Sequence, residues 1–351
     1  MAAFSVNDVA IKGISCSVPK NKELNVDLDI LTQEEIQKFI EATGVEERRI
    51  APKDLCTSDL CCEAAEKLIT DLNWQKSEIE ILVFVSQTAD YILPVSAAIL
   101  QDRLGLSTDC IAFDVPLGCS GYVYGISIIA GMMKASGLKK GLLLAGDTSS
   151  KLLSKTDKST VPLFGDGGSA TAFELDESAE SLQFDLGTDG SGYKTIMIND
   201  GGSRNRINSD SLIYQTISPG IERNACQLIL DGMDVFGFGI SQAPKTVNKL
   251  IEKFEIDKDN INHFVFHQAN LMMNKMIAKK LKLPAEKVPY SLKEFGNTSS
   301  TTIPLTIVTQ LKDNLANTSQ SLILCGFGVG LSWGTAKVKL DNIVISDLIE
   351  I

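Results

Sequence analysis

A repeat constrains this chain more than any other feature. Residues 77–86 read SEIEILVFVS and residues 259–268 read DNINHFVFHQ; residues 141–146 read GLLLAG and residues 321–326 read SLILCG. The offsets are 261 − 79 = 182 for Ile79 and Ile261, and 321 − 141 = 180 for Gly141 and Ser321. Either match alone is the ordinary likeness of two apolar strands. Two matches at nearly one offset point to duplication of a unit about half the chain long. The expected division is residues 1–180 and residues 181–351.

Strand-like and helical patterns alternate over residues 79–85, 97–104, 111–115, 122–133 and 141–145. That alternation predicts an α/β protein with largely parallel strands. Val83-Phe84-Val85 and Leu142-Leu143-Leu144 show no polar alternation, so both faces of those strands should be covered. Between each matched pair sits a loop of special composition, Pro116-Leu-Gly-Cys-Ser-Gly121 in the first half and Glu294-Phe-Gly-Asn-Thr-Ser-Ser300 in the second. Equivalent loops on duplicated halves meet across a pseudo-twofold axis, a natural place for an active site.

Composition narrows the class. The 351 residues are 44% hydrophobic and 22% charged, which rules out a wholly disordered chain. The net charge of −11 argues against general nucleic-acid binding, which needs lysine and arginine to displace phosphate counterions. No apolar run reaches the roughly 18 residues of a membrane span, and Met1-Ala-Ala-Phe-Ser-Val lacks the basic start of a secretion signal. A soluble, cytoplasmic protein is expected. Its eight cysteines are too few for a disulfide framework at this length, and no CxxC pair suggests a zinc site. No metal is expected.

Cys119 has a distinctive context. The strand-like run 110–115 leads into Pro-Leu-Gly, then Cys119-Ser-Gly121, then an apolar helix, a strand–turn–helix arrangement that presents a nucleophile. At a helix N-terminus the unpaired amides and the dipole favour thiolate over thiol, so an ionised sulfur is expected. A packed cysteine beside a glycine turn is the alternative.

His263 and His267 are the chain's two histidines. No glutamate follows His263, no third ligand is evident and the run looks like a strand, which argues against a metal pair. His267 ends the run, where a sheet delivers side chains to a crevice. It could also simply satisfy itself by hydrogen bonding, the reading adopted for His263. Asn297, taken singly, is a turn residue tolerant of left-handed backbone angles. Taken with Cys119 and His267, it completes a kit of one nucleophile and two groups able to hold a negative oxygen. The segment Gly326-Phe-Gly-Val-Gly330 lacks the last glycine and distal acid of a dinucleotide fingerprint, and better suits amides approaching an oxyanion.

Together these elements resemble the thiolase-fold condensing enzymes, most closely the ketoacyl-acyl-carrier-protein synthase III family, over essentially the whole chain. The segments that carry the resemblance are Ala42-Thr-Gly-Val-Glu-Glu-Arg-Arg-Ile-Ala51, Asp114-Val-Pro-Leu-Gly-Cys-Ser-Gly121, Phe164-Gly-Asp-Gly-Gly168, His267-Gln-Ala-Asn-Leu271, Gly296-Asn-Thr-Ser299 and Gly328-Val-Gly-Leu-Ser-Trp-Gly334. The resemblance implies a duplicated five-layer αβαβα sandwich, usually a homodimer, that needs no cofactor. It implies a triad of Cys119, His267 and Asn297, with the amides of Cys119 and Val329 as the oxyanion hole. An acyl group would pass from a coenzyme A or carrier-protein thioester to Cys119, and a malonyl-acyl-carrier protein would then lose carbon dioxide and attack it. Leu93 would cross the dimer interface to line the acyl pocket, its side chain smaller than the usual phenylalanine. Lys275, Lys279 and Lys280, with Lys282, would receive the acidic carrier protein.

Several positions depart from the family pattern. Lys38 and Ala42 stand where a tryptophan and an arginine usually sandwich the coenzyme adenine, Lys158 replaces a second coenzyme-binding arginine, and Met272 replaces a docking arginine. Lysine lacks the flat stacking surface of arginine, so a weaker hold on coenzyme A is expected. Residues 199–226, with Arg204 and Arg206, exceed the family length and are expected to reshape the entrance. Acyl transfer to an amine or hydroxyl, thioester hydrolysis and a non-catalytic partner subunit are the competing readings. The hydroxymethylglutaryl type needs an acidic residue that Ser86-Gln87-Thr88 does not offer.

Overall fold

In the computed structural model, which describes residues 2–351, twelve strands sort into two main sheets. In chain order they are β1 (Ala2–Val6), β2 (Val9–Val18), β3 (Ile81–Val85), β4 (Ile111–Val115), β5 (Lys140–Asp147) and β6 (Gly167–Leu175). The second half supplies β7 (Leu182–Thr188), β8 (His263–Phe266), β9 (Ser319–Gly328), β10 (Ser332–Asp341) and the short β11 (Val344–Ile345) and β12 (Ile349–Glu350). The first sheet runs β11-β2-β6-β5-β3-β4, with β12 also on β2; the second runs β1-β7-β10-β9-β8.

The repeat in the sequence is a repeat in pairing. Ile81 pairs with Gly141 across parallel β3 and β5, and His263 pairs with Leu322 across parallel β8 and β9, offsets of 263 − 81 = 182 and 322 − 141 = 181. The next two neighbours are antiparallel in both sheets, β6 then β2 in one and β10 then β7 in the other. The chain ends cross over. β1 joins the second sheet while β11 and β12 join the first, so the terminal strands lie on the far side of the division at residue 180.

Helices complete five layers. In chain order they are α1 (Gln33–Thr43), α2 (Thr57–Asp71), α3 (Ser96–Arg103), α4 (Gly121–Ser136), α5 (Gly232–Lys253), α6 (Leu271–Lys280) and α7 (Thr302–Gln310). α2 and α3 cover the outer face of the first sheet, meeting Leu82, Phe84, Leu142 and Leu144. α4 and α7 fill the central layer, where Val83, Val85 and Leu143 of one sheet meet Leu322 and Leu324 of the other. α5 and α6 cover the outer face of the second sheet. Strands covered on both faces have no use for polar alternation, which is why the runs over residues 83–85 and 142–144 are uniformly apolar. Among the described residues, no helix is long and apolar enough to cross a membrane.

α1 lies outside this stack and helps to wall the site. A capping box closes its start, Thr32 accepting from the Glu35 amide while the Glu35 carboxylate accepts from the Thr32 amide. It ends at Gly44, whose φ of 75° is the left-handed setting that glycine adopts without strain.

Candidate active site

One cavity of ≈ 210 Å³ collects residues from both halves: Cys119 from the turn between β4 and α4, His267 from the end of β8, Asn297 and Ser299 from the loop before α7, and Val329 from the end of β9. Its outer walls are apolar, with Phe39 of α1, Leu163, Leu228, Leu230 and Val235.

Two close approaches hold Cys119 in place. A side chain at Gly118 would begin 2.2 Å from Gln87 Oε1, so the glutamine side chain lies against the turn in the space glycine leaves. A side chain at Gly328 would begin 2.7 Å from Cys119 Cβ and 2.9 Å from its sulfur. With no such atom, the end of β9 lies flat against the cysteine, and the Val329 amide reaches the sulfur along with the amide of Cys119 itself.

The expectation of a resting thiolate is corrected. Burial, then the nearby carboxylate of Asp147, pushes the Cys119 thiol up to about 11. The Ser299 hydroxyl, 4.0 Å from the sulfur, and the two amides pull the other way and do not prevail. Stripping water from a charged sulfur is the largest of these effects. Activation therefore requires a proton acceptor.

His267 lines the same cavity as Cys119. Burial holds its imidazole down to about 3, so the ring is neutral at ordinary pH. Its Nδ1 lies 2.8 Å from the Thr302 hydroxyl, and Phe327 packs edge-on at 5.6 Å between centroids. Asn297 is oriented by its neighbour: its Oδ1 accepts the Ser299 N–H at 2.9 Å, which leaves the amide NH₂ as the free end.

Asp147, at the end of β5, joins the halves. Its carboxylate accepts from the Gln87 amide at 2.8 Å in the first half and from the Ser300 hydroxyl at 2.9 Å in the second. Burial raises its pKa. Sequence reasoning passed over Asp147, Ser299 and Thr302. For Asp147 a signal existed, an acidic residue at the C-terminal end of a buried parallel strand, where such sheets place functional groups.

Other sequence candidates lie elsewhere. Leu93 is 82% exposed and does not line the cavity of a single chain. Lys275, Lys279 and Lys280 are exposed on α6 beside the exposed Met272 and Met276. Lys38 pairs with Glu34 at 2.6 Å and Lys158 with Glu35 at 2.8 Å. Within the long segment 199–226, residues 215–218 and 221–223 form a hairpin whose Gly220 packs on the Lys158 stem, with Arg204 and Arg206 exposed nearby in sequence. His263 is half-buried and is not part of the cavity lining. Among the described residues there is no cluster of three or more metal-binding side chains.

Comparison with known proteins covers the same elements. Residues 113–190 match the family model described as 3-oxoacyl-[acyl-carrier-protein] synthase III, and residues 251–340 match its C-terminal counterpart. Cys119 falls in the first match, and His267, Asn297 and Val329 fall in the second. A beta-ketoacyl-[acyl-carrier-protein] synthase III of Fusobacterium nucleatum is 32% identical over 337 residues, which cover 95% of this chain and 99% of that protein. A putative 3-oxoacyl-[acyl-carrier-protein] synthase 3 of Campylobacter jejuni is 32% identical over 351 residues, covering 97% and 96%. The solved structure of a 3-oxoacyl-(acyl-carrier protein) synthase from Burkholderia xenovorans matches with a TM-score of 0.93 at 36% identity, over 99% of both chains.

Proposed function

The chain belongs to the beta-ketoacyl-[acyl-carrier-protein] synthase III family, and on that premise we propose that it joins an acyl thioester to a malonyl-carrier-protein thioester by decarboxylative Claisen condensation. Cys119 attacks the acyl thioester, and the amides of Cys119 and Val329 hold the oxygen of the tetrahedral intermediate. The malonyl thioester then takes the cavity, its carbonyl oxygen between His267 and the Asn297 amide. Loss of carbon dioxide leaves an enolate that attacks the acyl-cysteine, giving a 3-oxoacyl thioester for fatty-acid or specialised acyl-chain synthesis.

The observation that carries this reading is the orientation of the donors. Val329 shares one cavity with Cys119 and its amide favours the charged sulfur, and the Asn297 NH₂ on the same cavity is the free end of a carboxamide anchored through its oxygen. A hydrolase needs a path for water to the acyl carbon, whereas the cavity beside this sulfur is lined by Phe39, Leu163, Leu228, Leu230 and Val235. The test is product analysis. Incubation with an acyl thioester and a malonyl-carrier-protein thioester is expected to yield a 3-oxoacyl thioester and carbon dioxide in equal amounts. Free acid alone, or an ester or amide alone, would contradict the assignment.

The assembly proposed is a homodimer. β4 is an edge strand with one side unpaired, and Tyr91, Ile92, Leu93 and Val95 are exposed in the sequence before it. An apolar edge of this kind invites pairing, and a second copy would cover it. In that dimer Leu93 would line the partner's acyl pocket, and a leucine there admits longer acyl groups than a larger aromatic ring.

The acidic carrier protein is proposed to dock on Lys275, Lys279 and Lys280. A carrier-borne donor suits the entrance better than coenzyme A, because Lys38 and Lys158 are already committed to carboxylates. A reducing compartment, the cytoplasm, suits eight free cysteines.

A further inference from the structure

The Thr302 hydroxyl bridges His267 and a backbone carbonyl. Its Oγ1 lies 2.8 Å from His267 Nδ1 and donates to the Ser299 carbonyl at 2.9 Å. A carbonyl can only accept a hydrogen bond. A hydroxyl has one proton, so a bare Nδ1 would draw the Thr302 proton away from the Ser299 carbonyl it is bonded to. A protonated Nδ1 matches every partner: Nδ1–H donates to Thr302 Oγ1, and the Thr302 hydroxyl donates to the Ser299 oxygen. A neutral imidazole has one N–H, so the lone pair then lies on Nε2.

We propose that Thr302 is a positioning residue which, with the Ser299 carbonyl, keeps His267 protonated at Nδ1 throughout the cycle, so that protons come and go only at Nε2. This deepens the functional reading above and rests on it. In acylation the Cys119 S–H proton passes to Nε2 as the sulfur–carbon bond forms. The departing thiolate of the donor takes that proton as its own bond to the acyl carbon breaks. Condensation consumes one proton, drawn from water. That proton sits on Nε2 while the malonyl thioester oxygen becomes an enolate oxygen and carbon dioxide leaves. The enolate carbon then bonds to the acyl carbon, and the proton passes to the Cys119 sulfur as the acyl–sulfur bond breaks. His267 accepts as imidazole and donates as imidazolium, with no change of tautomer.

The titratable groups on the cavity walls beside it are Cys119 and Asp147. The ring's other neighbours, Phe327 at its face and Asn274, which donates to the His267 carbonyl, carry no charge.

With only two histidines in the chain, nitrogen-15 NMR of histidine-labelled protein is decisive, and His263→Gln assigns the signals. Wild-type His267 is expected to show the Nδ1–H pattern at neutral pH; an Nε2–H pattern overturns the proposal. Thr302→Val removes the hydroxyl and keeps the shape. Its acylation kcat is expected to fall about tenfold with KM for the donor thioester unchanged, while Thr302→Ser stays within about threefold of wild type. Equal kcat in Thr302→Val and wild type overturns the positioning role. Wild-type protein that takes no acyl group at all defeats the proposed function instead, and the spectrum still decides the tautomer.

Discussion

The carboxamide oxygen of Asn297 accepts the backbone N–H of Ser299 at 2.9 Å, so the NH₂ end of the side chain is the one offered to a ligand. Asn297→Asp keeps that acceptor and replaces the donor with a second oxygen. Condensation is expected to fall about a hundredfold or more, as when one donor to a developing oxyanion is lost. Acylation of Cys119 should continue within a few-fold of wild type, as read by intact-protein mass against carbon dioxide release. Condensation at the wild-type rate in the Asn297→Asp protein would remove Asn297 from the mechanism.

Gly328 is expected to tolerate no side chain. A Cβ there would fall 2.7 Å from Cys119 Cβ, and both atoms are fixed to backbone. Gly328→Ala should destabilise the fold by about 1–3 kcal/mol through overpacking and abolish alkylation of Cys119 by iodoacetamide. Gly131→Ala, in the middle of α4 with nothing within 4 Å of its Cβ, is the control and should leave both readouts intact. Chemical denaturation and alkylation rates check the pair.

The pH dependence of acylation follows from burial. Cys119 is held up to about 11 and His267 down to about 3, so thiol and neutral imidazole coexist across the range between. With His267 as base, the acylation rate should be flat from about pH 5 to 9. In His267→Asn only the ionised sulfur attacks, so the rate should rise about tenfold per pH unit in the same range. Asp147→Asn removes a charge that raises the thiol, and its Cys119 should alkylate faster at pH 8 than in wild type. Stopped-flow acylation and iodoacetamide kinetics read these slopes.

The duplication, the covered strands and the loops that bring Cys119 and Asn297 to one cavity were legible because each leaves a local mark, while the layer order came with the family resemblance. Covered strands are uniformly apolar, and Cys119 and Asn297 sit in loops of small residues. The protonation state of Cys119 was not legible, because it depends on water excluded by both halves and on Asp147, 28 residues further along the chain. Thr302 was equally hidden. A threonine opening an apolar helix reads as an ordinary helix residue until the fold sets it beside Nδ1 of His267. The crossing of the chain ends was invisible for a related reason, since β1 and β12 are too short to declare a partner sheet.

The lysines of α6 carry a salt-sensitive expectation. Lys275→Glu combined with Lys279→Glu should raise KM for a malonyl-carrier-protein thioester about tenfold at low ionic strength, and less as salt screens the contact. KM for malonyl-pantetheine, which lacks the protein, should not move. Equal effects on both substrates would take the carrier off this face.

The most direct measurement loads the protein with one acyl thioester, maps the modified peptide, then adds a malonyl-carrier-protein thioester and follows the label. The acyl group is expected on Cys119 alone, and it should leave as a 3-oxoacyl thioester with one carbon dioxide released per acyl group discharged. A label on another residue, or an acyl-Cys119 that decays only to the free acid in the presence of the malonyl thioester, would contradict the account.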